Sequence, residues 1–408
     1  MTRDSYDLII VGGGMVGASL AIALAERGLR MALIEAHAPG ADSQPSYDDR
    51  AIALAYGTRR IFDAIGVWSA LAGMVEPILD IHVSDRGHLG FTGLSASEEG
   101  VPALGYVVTA RELGRVLLAR LHQQGALDVI APARVVRFDD QGAQVRVEVE
   151  GNGVVTSLDC GLLVAADGGD SAIREQLGVP IRRWQYGQSA VVTNITPAKA
   201  HANKAYERFT ESGPVALLPM TEQRCALVWT VRDQQLDAVL ALDDAAFLAA
   251  FQQRFGYRLG RFRRVGRRLS YPLSLLRARE SVRGRVAIIG NAAHTLHPIA
   301  GQGFNLGIRD VAALAEVIDD AFATGRDIGS PEVLAAYERW RAQEQRNVAL
   351  ATDGLARLFS NPLRIVRAGR NLGMLAMEFI PGAKHPLARA AMGLNGGQPR
   401  LARGVPLG

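Results

Sequence analysis

The sequence predicts an α/β protein: a Rossmann-like parallel sheet, an inserted antiparallel β-sheet and a helical C-terminal region. Three observations carry that expectation. A short apolar strand at Tyr6 to Val11, a glycine turn, an alanine-rich helix at Met15 to Arg27 and a second strand at Arg30 to Glu35 open the chain. Such a strand–helix–strand unit implies a right-handed crossover between parallel strands. Residues 187–232 and 265–275 are strand-rich with polar interruptions, which reads as a separate antiparallel sheet. From Gly307 onward the pattern is helical, with breaks at Ser330-Pro331, Asn361-Pro362 and Pro381-Gly382.

The remaining elements follow in chain order. Gly28 ends the first helix. Arg111 to Gln124 sets Leu113, Leu117, Leu118 and Leu121 on one helical face. Val129 to Glu150 reads as a hairpin, because Val135, Val145, Val147 and Val149 alternate about the turn Asp139-Asp140-Gln141-Gly142. Leu158 to Ala165 is a buried strand that ends in AADGGDSAIR. Val286 to Ile289 is another, and it leads to HPIAGQGFNLGIRD at His297 to Asp310. There Gly301, Gly303 and Gly307 crowd into seven positions, which asks what the backbone approaches so closely.

Composition bounds the function. The chain has 408 residues, 48% apolar and 21% charged, which is ordinary for a globular enzyme. Cys160 and Cys225 have no metal-ligand spacing, so no metal site is expected and the chain reads as cytosolic. The opening MTRDSYDLII is interrupted by acids and does not read as a signal peptide. No run of about 18 apolar residues predicts a membrane span. Arg261 to Arg268, RFRRVGRR, holds five arginines and reads as a solvated strand or loop, with an anionic membrane surface as the alternative. Nucleic acid is not expected, since no aromatic platform or groove-reading helix accompanies the charge.

Gly12, Gly14 and Gly17 stand in G-x-G-x-x-G register after a strand and at the start of a helix. Gly12 permits the tight turn, Gly14 the approach of a pyrophosphate and Gly17 the packing of helix on strand. Glu35 ends the second strand, placed for a ribose hydroxyl. The fingerprint alone does not separate FAD from NAD. The lack of a second G-x-G-x-x-G and the late glycine loop favour FAD.

The segment GNAAHTLHPIAGQGFNLGIRD, Gly290 to Asp310, resembles the late flavin-contacting segment of aromatic-ring hydroxylases of the para-hydroxybenzoate hydroxylase type. HPIAGQGFNLGIRD is similar to the signature of the ubiquinone-biosynthesis hydroxylases within them. ADGGDSAIR resembles the superfamily's middle motif, with Asp167, Gly168, Ser171 and Arg174 in matching places. DDRAIALAYGTRRIFDAIGVW, VSDRGHLGF and ERFTESGPVALLPM resemble the branch that hydroxylates ring carbon 1 of a 2-polyprenyl-6-methoxyphenol. The resemblance covers nearly the whole chain. One departure stands out: Asn291 occupies a position where the superfamily usually has a ribityl-contacting aspartate.

What the resemblance implies is an FAD-dependent monooxygenase working through a flavin C4a-hydroperoxide, with NAD(P)H as the expected donor. The substrate would be a polyprenylated phenol, and the partners other ubiquinone-biosynthesis proteins. A paralogue acting at another ring carbon, a flavin reductase of prenyl lipids and a non-catalytic FAD-bound scaffold are the alternatives. Arg50, Arg111 and Asp167 match flavin contacts of relatives, and Asn291, Pro298, Gly301, Gln302, Gly303, Phe304 and Asn305 would line the cofactor. The residues assign no base. His297 is the candidate beside the loop, with His294, His82, His88 and Tyr186 behind it, and each has a structural reading as well. The expected FAD-binding parts are 1–75, 106–180 and 276–345, the substrate parts 76–105 and 181–275, and the helical region 346–408.

A polyprenyl tail requires an apolar phase, so the enzyme is expected at the inner face of the cytoplasmic membrane, in peripheral contact. GLARLFSNPLRIVRAGRNLGMLAMEFI combines apolar residues and arginines as an interfacial helix pair would, or as helices packed on the FAD domain or on a second copy would.

Overall fold

Unbroken apolar runs, whose successive side chains point to opposite faces, build a parallel sheet that is buried on both faces. In the computed structural model, which describes residues 5–38, 49–296, 301–361, 363–380 and 382–408, its strand order is Val282–Arg283, Val286–Ile288, Val154–Ala165, Ser5–Val11, Met31–Ile34 and Leu127–Ile130. All neighbours are parallel except the edge strand Val282–Arg283. Leu8, Ile10, Leu33, Leu162 and Val164 face the helices Met15–Leu24, Ala110–His122 and Gln302–Ala323. Ile9, Val11, Ala32, Ile34 and Leu163 face the other way, with Val145, Val147 and Val149 of the hairpin. Each fully buried chain of this size contributes roughly 1.5–3 kcal/mol. The helix at Ala110–His122 starts as its sequence dictates: Thr109 accepts from Glu112 N, and Glu112 returns the bond in a capping box.

The hairpin forms between Ala133–Asp140 and Val145–Gly151. Its expected first residues belong elsewhere, because Leu127–Ile130 joins the parallel sheet beside Met31–Ile34.

The second sheet has nine strands and runs His294–Thr295, Leu269–Ala278, Ile181–Pro197, Cys225–Arg232, Gly213–Pro219, Lys204–Thr210, Asp80–Asp85 and Phe91–Ser95, with Phe262–Val265 paired to Ile181–Pro197. It is antiparallel except where Lys204–Thr210 lies parallel to Asp80–Asp85. One face packs on the helix Asp244–Phe255 through Phe247, Phe251 and Phe255 against Trp229, Leu227 and Val191. Within the arginine run, Arg263 and Arg264 are exposed on an edge strand, while Arg268 pairs with Asp244 at 3.0 Å and covers the Phe247 ring.

Between Val286 and Thr295 the chain leaves the parallel sheet, makes a tight turn at Gly290–Ala292 and joins the second sheet. That crossing sets the late glycine loop at the seam of the two sheets. The chain closes with the helices Pro331–Ser360, Arg364–Phe379 and His385–Ala391. Among the described residues no helix is long and apolar enough to cross a membrane.

Candidate active site

The amino-terminal turn is held by its own backbone. Gly12 has φ +104, and a Cβ there would stand 2.5 Å from the Ala166 carbonyl oxygen. A Cβ at Gly17 would stand 2.0 Å from the Gly12 carbonyl oxygen. Gly14 caps the helix Met15–Leu24 with no side-chain bond to its first amides, so those N–H groups face outward. Glu35 braces the turn: its Oε2 accepts from Gly13 N at 2.6 Å and its Oε1 from His37 N at 2.8 Å.

These residues open onto a crevice of ≈ 450 Å³ lined by Gly12, Gly14, Glu35, His37, Arg134 and Asp167, among others. Burial raises the proton affinity of Asp167, and hydrogen bonds from Ser171 and Ile173 offset part of that. Its Oδ2 accepts from Ile173 N at 3.3 Å, while the buried Oδ1 has no partner among the described residues. A polar atom held that way suits a ligand hydroxyl.

The late loop is held differently. His297 and Pro298 lie outside the described residues. Gly301, at φ +60, caps the helix Gln302–Ala323, whose first turn has neither an acid nor a side-chain cap. A Cβ at Gly303 would meet none of the described residues within 4 Å, so none of them demands glycine there. Gly307 differs, since a Cβ would come within 3.2 Å of Gly290 Cα and of Val16. Gln302 is buried and donates to the Ala391 carbonyl at 3.2 Å. Phe304 is half-buried, its ring 6.4 Å from that of Phe62.

Asn305 corrects the sequence reading in one respect. Its Oδ1 accepts from Ala55 N at 2.7 Å and Thr58 Oγ1 at 2.8 Å, and its Nδ2 donates to the Ala53 and Gly301 carbonyls at 2.8 and 2.7 Å. The amide is fully used, so the side chain braces the loop against Ala51–Ala55 instead of reaching a ligand. Asn291 is exposed in the turn Gly290–Ala292. Arg50 sits over the Tyr271 ring at 5.4 Å, and Arg111 pairs with Asp49 at 2.8 Å. The latter pair holds the Asp49 carboxyl below its ordinary value.

Sequence reasoning missed Asp310. Wholly buried, its Oδ2 accepts from His294 Nε2 at 2.6 Å and Gly290 N at 3.2 Å, and its Oδ1 from Arg341 Nε at 2.9 Å and Gln345 Nε2 at 3.0 Å. Burial pushes its proton affinity up, but His294 and Arg341 outweigh burial and hold the carboxylate ionised. The knot fixes the turn at Gly290 to the late helix. A signal existed in the sequence: an acid at the head of the apolar run Val311 to Ala315, and Arg341 and Gln345 four apart. His82, by contrast, touches Arg258, Phe91 and Tyr206 on the second sheet, and Tyr186 donates to Asp353 at 3.0 Å.

Residues 5–352 match the family described as FAD binding domain. A curated relative, ubiquinone hydroxylase UbiL of Rhodospirillum rubrum, is 42% identical over 98% of this chain and 93% of its own length. The chain belongs to this family of FAD-dependent ubiquinone-biosynthesis hydroxylases. It is also 31% identical to 3-demethoxyubiquinol 3-hydroxylase of Escherichia coli, over 97% of this chain and all of that one. Among solved structures, p-nitrophenol 4-monooxygenase PnpA of Pseudomonas putida superposes with a TM-score of 0.80 at 19% identity, covering 97% and 99% of the two chains, which shows the shared fold. Membership makes the chain a flavin monooxygenase, and the crevice, the unsatisfied Asp167 oxygen and the open space at Gly303 fit FAD.

Proposed function

We propose that the chain hydroxylates a polyprenylated phenol in ubiquinone biosynthesis, with FAD, molecular oxygen and electrons from NAD(P)H. The ring position we assign is carbon 1 of a 2-polyprenyl-6-methoxyphenol, the reaction of a 2-octaprenyl-6-methoxyphenol hydroxylase. The full-length match to a ubiquinone hydroxylase carries the reading. The stretches VSDRGHLGF and ERFTESGPVALLPM support carbon 1. The likeness to 3-demethoxyubiquinol 3-hydroxylase supports the second reading, a paralogue acting at another carbon.

When bound, FAD supplies the activation of oxygen and its transfer to an electron-rich ring. The chain's part is to hold and to shield. The turn Gly12 to Gly17 with its helix would take the pyrophosphate. Glu35 would take the ribose, and Asp167 with Asn291 the ribityl hydroxyls. Amides at Gly301, Gln302 and Gly303, at the positive end of the helix Gln302–Ala323, would favour negative charge at the flavin edge by about 0.3–1 kcal/mol. Leu275, Leu296, Leu306, Val348 and Ala349 form an apolar cluster at the seam of the sheets, suited to keeping water out. His297 remains the proposed aid to phenol ionisation. Deleting the gene in its host and identifying the phenol that accumulates tests this. The 6-methoxyphenol supports carbon 1, another intermediate moves the chain to a paralogue, and no prenylated phenol at all rejects the function.

A further inference from the structure

We propose that the helix Arg364–Phe379, with the corner leading into it, is a surface that docks on an anionic bilayer. The helix is turned inside out. Three of its polar side chains, Arg370, Asn371 and Glu378, point into the protein: Arg370 pairs with Asp85 at 2.8 Å, both almost wholly buried. Asn371 donates to the same carboxylate at 3.0 Å and accepts from Gly90 N at 2.9 Å. Glu378 accepts from Gly93 N at 2.8 Å. The exposed described positions are Ile365, Ala368, Gly369, Leu372, Gly373 and Phe379, and none is charged. Ile365, Leu372 and Phe379 recur every two turns on one stripe and are 87%, 69% and 73% exposed. Leu363 before the helix and Ile380 after it extend the stripe. A surface helix ordinarily turns its charges to water, and a contiguous apolar face marks a partner.

Charge identifies the partner. Residues 345–408 contain nine arginines and lysines and two acids, Asp353 and Glu378; acids outside the segment take up Arg370, Lys384 and Arg400, while Arg346, Arg357, Arg389 and Arg403 are exposed. Both acids are engaged, Asp353 by Tyr186 and Arg357, Glu378 by Thr92, Gly93 and Lys384. A second copy would bring the same positive charge to the contact, whereas anionic headgroups bring the opposite sign. Near the corner, exposed Trp184 carries Arg357 over its ring at 4.7 Å, an amphipathic pair suited to the headgroup layer. The inference rests on the proposed function only for its purpose, which is to bring the site to a substrate whose tail stays in lipid.

The test sediments FAD-loaded enzyme with vesicles of phosphatidylcholine, alone or mixed in equal parts with phosphatidylglycerol. Binding to the mixed vesicles that falls with salt is expected. The double variant Leu372→Glu/Phe379→Glu should bind roughly tenfold more weakly or worse. Both positions are exposed, so flavin content and melting temperature should match the parent. Turnover of a short-tailed phenol in solution should hold, while turnover of a long-tailed phenol in vesicles falls with binding. Parent enzyme that ignores both vesicles, or a variant that binds like the parent, overturns the proposal. So does a variant that turns a dimer into a monomer with vesicle binding untouched, which gives the face to a second copy. Vesicle binding that the variant loses, with neither phenol hydroxylated, upholds the surface and removes the substrate reading instead.

Discussion

The amino-terminal and late glycine loops look alike in sequence and are built under different constraints. At the amino-terminal turn the protein enforces glycine on itself, because a methyl at Gly12 or Gly17 would strike backbone carbonyls at 2.5 and 2.0 Å. At the late loop a methyl at Gly303 meets none of the described residues within 4 Å. The first loop would keep Gly12 and Gly17 with no ligand at all. In the second, Gly301 at φ +60 and Gly307 against Gly290 and Val16 also answer to the chain, so Gly303 is the position where a group from outside would call for glycine, and an FAD ring is the group the family supplies. Polar anchoring differs as well. Glu35 braces the first loop at the edge of the crevice, whereas the second hangs from two buried knots, Asp310 and Asn305.

The largest way to break this contrast is Asp310→Ala. It leaves four donors, one of them the buried Arg341 guanidinium, without their acceptor. A loss of about 3–5 kcal/mol is expected in denaturant unfolding. A variant as stable as the parent would mean the knot does not anchor the loop. Next comes Gly17→Ala, which should cost about 1–3 kcal/mol or more even in the protein stripped of FAD, read as a lower melting temperature.

Gly303→Leu sharpens the contrast from the other side. Without FAD its stability should stay within about 0.5 kcal/mol of the parent. FAD affinity, measured by flavin fluorescence quenching, should drop by roughly tenfold or more. If FAD binds the leucine variant as before, the ring does not lie against this loop.

The smallest expected effect concerns His82, in the second sheet. Burial, with Arg258, Lys204 and Arg208 nearby, pushes its pKa down from 6.5 to about 4, against a small opposing pull from Glu378. The unfolded chain takes up that proton near 6.5 while the folded chain resists until about 4. Stability from this group is therefore full above 6.5 and falls as pH drops between the two values. Replacing His82 with Gln should flatten that part of the melting-temperature profile. Identical slopes would assign the acid sensitivity to another group.

Local pattern made much of the fold legible. The fingerprint strand and helix, the helix Ala110–His122 and the hairpin about Gln141 depend on neighbours in sequence, and each forms within a few residues of its expected place. The helix Asp244–Phe255 went unread, although Phe247, Phe251 and Phe255 recur every four residues between the strand-rich stretches 187–232 and 265–275. The pairing of Asp80–Asp85 with Lys204–Thr210 joins segments more than a hundred residues apart, and no local period encodes it. At the site, the residue types of both loops could be read, yet not where their side chains point. Asn305 turns to the protein, Gly307 packs on Gly290 and Val16, and Gly303 opens outward, all on one helix start.

By itself the sequence determined the nucleotide turn, the family and the kind of chemistry, because backbone approach to a phosphate or a flavin restricts residue type position by position. Tertiary structure alone decided which glycines the protein's own packing requires, that Asp310 joins four distant donors, and that the Arg364–Phe379 helix wears its apolar face outward. Those outcomes depend on which surfaces meet across the fold, and a hydrophobic stripe carries no mark of which side its partner will occupy.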